Sequence, residues 1–82
     1  MTPVEKLRAL PIGTFKGQAH GKTYIVSKTQ FSDGASVKLV AEALDGSDYI
    51  SLNLYELAAG ARLFPCEMPI EKVRRFLETL QV

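Results

Sequence analysis

Two stretches on either side of Asp45-Gly46 constrain this chain more than any other feature. In "VKLVA" (37–41) and "DYISLNLYEL" (48–57) apolar side chains fall at every second position, which is the period of a β-strand with one buried face. A two-residue turn at Asp45-Gly46 pairs 41 with 50, 39 with 52 and 37 with 54. Val37, Leu39 and Ala41 then share a face with Ile50, Leu52 and Leu54. A slip of one residue would turn one row over. The two patterns therefore define a hairpin with one apolar face, and that face needs a cover.

The cover lies at the end of the chain. Ile70, Val73, Phe76, Leu77 and Leu80 recur at helical spacing, and Pro69 suits the first turn. Glu71 with Arg75 forms a favourable i,i+4 combination, and Lys72, Arg74 and Glu78 fill the wet side. The helix stripe and the sheet row most economically bury one another. At the other end "TPVE" (2–5) is a capping-box pattern with Pro at the first helical position. It predicts a short helix at about 3–9, with Val4, Leu7 and Leu10 inward and Pro11 as the stop.

Between the helices the chain reads as strands separated by the turns "AHGK", "SDG" and "DGS". A two-residue turn at "SDG" would set Lys28 and Gln30 beside the apolar row. A three-residue loop, with Gly34 in the left-handed position of a bulge, puts Ile25 and Phe31 there instead and is the expected form. Around His20-Gly21 two registers remain open, since Phe15 reaches the core in only one. A turn at Gly60 leads to a short strand at 62–64, after which Pro65 and Pro69 exclude regular pairing. The expected fold is α+β: a single domain (1–82) in which an antiparallel meander of four or five strands packs on a C-terminal helix, with a short N-terminal helix.

Composition narrows the function. Apolar content of 46% and charge of 23% are ordinary for a globular chain. With 82 residues the core is thin, so homo-oligomerisation is expected. A net charge of +1 excludes coating of duplex DNA by charge alone, although residues 13–44 carry a local balance of +2. One Cys and one His exclude an internal disulfide and make a zinc site implausible, so no metal or cofactor is expected. The first residues do not read as a secretory signal and no run is long enough to span a bilayer, which predicts a cytoplasmic protein without a membrane partner. Paired carboxylates, a Gly-rich phosphate loop and a Ser/His/Asp set are all missing, so the chain reads as non-enzymatic.

The predicted register assigns the uncovered face. Lys38 lies opposite Asn53, Val40 opposite Ser51 and Glu42 opposite Tyr49, and the neighbouring strand is expected to add Tyr24, Val26 and Lys28. Tyr24, Tyr49 and Tyr55 then gather with Lys28, Lys38, Ser51 and Asn53. Rings interleaved with ammonium groups and hydrogen-bonding side chains suit single-stranded nucleic acid, where each stacked base is worth about 1–3 kcal/mol. The same residues also fit a solvated face of cross-strand pairs, or a protein or dimer interface rich in tyrosine. Cys66 reads either as a small buried hydrophobe at the strand–helix corner or as a reactive thiol, and His20, the only imidazole, sits in a distant turn. Met68 reads as packing.

Two resemblances add expectations. "DYISLNLYEL…LFPCEMPIEKVRRFLETL" (48–80) resembles a family of small bacterial proteins with a Pro-Cys-Glu-Met-Pro segment, whose members are sometimes labelled peptide methionine sulfoxide reductase. That resemblance implies thiol-dependent redox chemistry centred on Cys66, with an external thiol completing turnover. Separately, four antiparallel strands followed by a C-terminal helix over roughly 13–80 resemble, in topology, the positive cofactor four family. That resemblance implies a dimer binding single-stranded DNA across its sheet.

Overall fold

A computed structural model describes residues 2–82. In chain order it comprises α1 (Pro3–Ala9), β1 (Gly13–Ala19), β2 (Lys22–Phe31), a 3-10 turn (Ser32–Gly34), β3 (Ser36–Ala43), β4 (Tyr49–Leu57), β5 (Gly60–Pro65) and α2 (Ile70–Thr79). The strands form one antiparallel sheet in the order β1-β2-β3-β4-β5. Both helices lie on one face of it, and among the described residues no helix is long and apolar enough to cross a membrane.

The central hairpin has the register its two patterns require. Val37 pairs with Leu54, Leu39 with Leu52 and Ala41 with Ile50, all of them buried. The connection is wider than a two-residue turn, because the last backbone bond of the hairpin runs from the Ala43 N–H to the Asp48 carbonyl at 3.0 Å. α2 covers this row with Val73, Phe76, Leu77 and Leu80, each fully buried. Pro69 is its N-cap rather than part of the first turn. Glu71 and Arg75 form no ion pair; instead Lys72 reaches Asp48 at 2.9 Å. α1 has the full capping box, with the Glu5 N–H donating to Thr2 Oγ1 (3.1 Å) and the Thr2 N–H to Glu5 Oε1 (3.0 Å). It adds Leu7 and Leu10 to the core.

β2 overturns an expectation. It is rotated by one residue from the predicted register, so that Tyr24, Val26 and Lys28 pair with Ala43, Ala41 and Leu39 on the helix-covered face. Ile25 and Phe31 face the other way. The link from β2 to β3 is four residues, 32–35, closed by the Phe31–Ser36 pair, instead of a three-residue loop. The expected register was preferred because it kept Lys28 out of the apolar row. The fold admits Lys28 there because its stem lies in the core while its ammonium donates to the Leu10 carbonyl (2.7 Å) and the Arg8 carbonyl (3.1 Å), at the end of α1.

The first hairpin is settled by His20 (φ 53°) and Gly21 (φ 73°), a two-residue turn of left-handed residues that matches the twist of the strands. Phe15 thereby faces inward, packed at the margin of the core. Gly17 lies opposite Tyr24, and a Cβ there would come within 2.7 Å of Leu80 Cδ1. The missing side chain lets the end of α2 settle against β1.

Candidate binding face

With both helices on one side, the other face of the sheet is bare, and the pairings order its side chains into rows. One row crosses the sheet as Phe31, Ser36, Tyr55 and Arg62; the next is Thr29, Lys38, Asn53 and Phe64. Below these come Thr14, Ser27, Val40 and Ser51, then Lys16, Ile25, Glu42 and Tyr49. Phe31, Tyr49, Tyr55 and Phe64 are 50%, 48%, 38% and 44% exposed, far more than core aromatics tolerate. Tyr55 and Phe64 meet edge to face, with ring centroids 5.3 Å apart. From Tyr49 to Tyr55 the rings span about 20 Å of strand.

The charge on this face is mostly positive. Lys16, Lys38 and Arg62 stand against Glu42 alone within these rows. The two ion pairs of the described residues, Arg8–Glu56 and Lys72–Asp48, lie elsewhere, so these three cations are unpaired. Lys38 is exposed between Thr29 and Asn53, one row from Tyr55.

Of the seven predicted site residues, five share this face: Lys38, Tyr49, Ser51, Asn53 and Tyr55. Ser51 is on it but only 5% exposed, because the chain leaving β5 runs alongside and the Cys66 N–H donates to its carbonyl at 3.0 Å. Asn53 is half-buried, its amide donating to Cys66 Sγ at 3.4 Å. Tyr24 and Lys28 are corrections. Neither reaches this face, since both lie buried under the helices. Tyr24 packs edge-on against Phe76 at 4.9 Å, and its hydroxyl donates to Asp48 Oδ2 at 2.6 Å. Val26, expected beside them, is buried as well.

Sequence reasoning missed Phe31, Phe64, Lys16 and Arg62. Strand parity would have placed Arg62 and Phe64 beside Tyr55 and Asn53 once β5 was paired to β4. Phe31 and Ile25 followed the misplaced β2 register.

Cys66 is half-buried on this same face rather than sealed in the corner, and Asn53 is its hydrogen-bonding neighbour. An amide N–H donates and takes no proton from a thiol. His20 Nε2 lies 3.5 Å from Thr79 Oγ1, beside α2. Among the described residues no three His, Cys, Asp or Glu side chains gather to hold a metal. The chain matches no protein-family model, no curated protein and no solved structure.

Proposed function

We propose that this chain is a small binding domain that works through the bare face of its sheet, and that single-stranded nucleic acid is the ligand. The observation that carries the reading is the alternation of four exposed rings with three unpaired cations on one surface. Rings accept bases of any sequence, and Lys38, Lys16 and Arg62 meet the backbone between them. Asn53 and Glu42 add hydrogen-bonding groups within the same rows. The test is tyrosine emission, undisturbed because the chain has no Trp, during titration with a mixed-sequence single-stranded oligonucleotide. Saturable quenching in the wild type, lost in Tyr55→Ala, is expected. An unchanged emission at low salt would overturn the reading.

A second reading, a protein interface on the same face, is favoured by its apolar centre. Ile25 and Val40 are diagonal neighbours there, half-buried, and Leu44 and Leu57 are exposed. It predicts that Val40→Lys lowers the sedimentation coefficient of an oligomer and leaves a folded monomer.

A further inference from the structure

A five-stranded meander has two edges, and this chain finishes them differently. On β1, Gln18 donates its N–H to the Gln81 carbonyl (2.7 Å) and accepts the Gln81 N–H (2.8 Å), so the C-terminal residues occupy part of that edge. Among the described residues, β5 has no such cover. The bond from the Cys66 N–H to the Ser51 carbonyl fixes which residues of the strand turn toward β4: Cys66, Phe64, Arg62 and Gly60. The N–H and C=O groups of Ala61 and Leu63 therefore point away from the sheet, and neither N–H has a partner among the described residues. Pro65, with no N–H, ends the open stretch.

Beside this edge an open cavity of about 500 Å³ separates β5 from α1 and α2. Val4, Ala61, Leu63 and Ile70 form its apolar walls, and Thr2, Arg62, Arg74 and Glu78 also line it. Ala61 and Leu63 turn their side chains toward the helices, while Arg62 turns to the bare face. Neither Arg62 nor Arg74 belongs to an ion pair of the described residues.

These features specify an occupant. Free N–H and C=O groups along an edge call for an extended backbone. An antiparallel strand that uses both free N–H groups places one residue directly opposite Arg62 and its two neighbours opposite Ala61 and Leu63, toward the cavity. A second copy of β5 in that register would set Arg62 against Arg62, and like charges directly opposite are destabilising. We infer that the β5 edge is a strand-addition site for an extended segment of a partner protein with the pattern apolar–acidic–apolar. The acid pairs with Arg62, and the two flanking side chains enter the cavity between β5 and the two helices. This site shares Arg62 with the bare face but does not rest on the nucleic-acid reading.

The test uses the full chain and a capped, fluorescein-labelled nonapeptide with Val-Glu-Val at its centre, beside a matched Val-Lys-Val peptide. Saturable binding of the first is expected, with the Ala61 and Leu63 amides shifting in nuclear magnetic resonance spectra and slowing in hydrogen exchange. Arg62→Glu, an exposed change whose fold the same spectra report, should weaken the Val-Glu-Val peptide by about tenfold and let the Val-Lys-Val peptide bind. Equal binding of both peptides, or none up to about 1 mM, would overturn the inference. So would protection of the Ala61 and Leu63 amides in a dimer without peptide, which would give the edge to a second copy.

Discussion

Lys28 shows how a single residue determines the packing of a larger element. α1 has only seven residues, too few to persist alone, and its last carbonyls need donors. The Lys28 ammonium supplies them at Arg8 and Leu10, where a cation also suits the helix dipole. Burial lowers its pKa, since the charged form is disfavoured away from water. Lys28→Met keeps the stem and strips the donors. It should cost about 1–3 kcal/mol, with amide exchange in α1 accelerating before the sheet loosens. Tyr24 and Asp48 form a second such centre. Burial, then the hydrogen bond to Asp48, pushes the Tyr24 phenol up to about 12. Burial opposes charge on Asp48 too, but the Tyr24 hydroxyl, Lys72 and the Tyr49 N–H outweigh it and lower its pKa from 3.8 to about 2. A depressed carboxylate contributes stability above its unfolded pKa and loses it as pH falls through the folded value. A raised phenol does the reverse, contributing fully below its unfolded pKa and losing this as pH rises toward 12. Melting temperature should therefore fall between pH 4 and 2, by the equivalent of up to about 2 kcal/mol from Asp48. Asp48→Asn should flatten that limb and also shrink the alkaline one, because part of the rise in the Tyr24 phenol comes from the Asp48 carboxylate.

At the scale of elements, the sequence was legible wherever pattern and packing agree. The 37–41 and 48–57 rows admit one register, and α2 presents one stripe to cover them, so both were readable from periodicity. α1 was readable from its capping box. β2 was not, because the decisive contact joins Lys28 to carbonyls 18 and 20 residues away, and no local pattern encodes it. An apolar row containing a lysine looked forbidden, and the register that avoids it moved Tyr24 and Lys28 onto the wrong face. Ser51 failed differently: its parity was right, but the chain after Pro65 covers it. The register makes a prediction that the rejected alternative reverses. Tyr24→Ala empties a site beneath Phe76 and should cost about 3–5 kcal/mol, whereas Phe31→Ser on the bare face should change stability by less than about 0.5 kcal/mol. Urea unfolding of the two variants decides it, and comparable losses would contradict the register.

The molecule as a whole is a sheet covered on one side only, and its bare side mixes two kinds of attraction that salt separates. In the proposed nucleic-acid contact, charge would contribute through Lys16, Lys38 and Arg62, and stacking through Phe31, Tyr49, Tyr55 and Phe64. On a single strand each neutralised phosphate adds about −0.7 to the slope of log affinity against log salt, so three cations predict a slope of about −2. Lys38→Ala should reduce that slope by about 0.7 and weaken binding chiefly at low salt. Tyr55→Ala should instead lower affinity by about 1–3 kcal/mol at every salt concentration, with the slope unchanged. Fluorescence anisotropy of a labelled oligonucleotide measures both quantities in one series. Parallel lines for wild type and Lys38→Ala would remove Lys38 from the contact. A slope near zero for the wild type would remove the phosphate backbone, and would leave the apolar centre around Ile25 and Val40 as the part of this face that meets a partner.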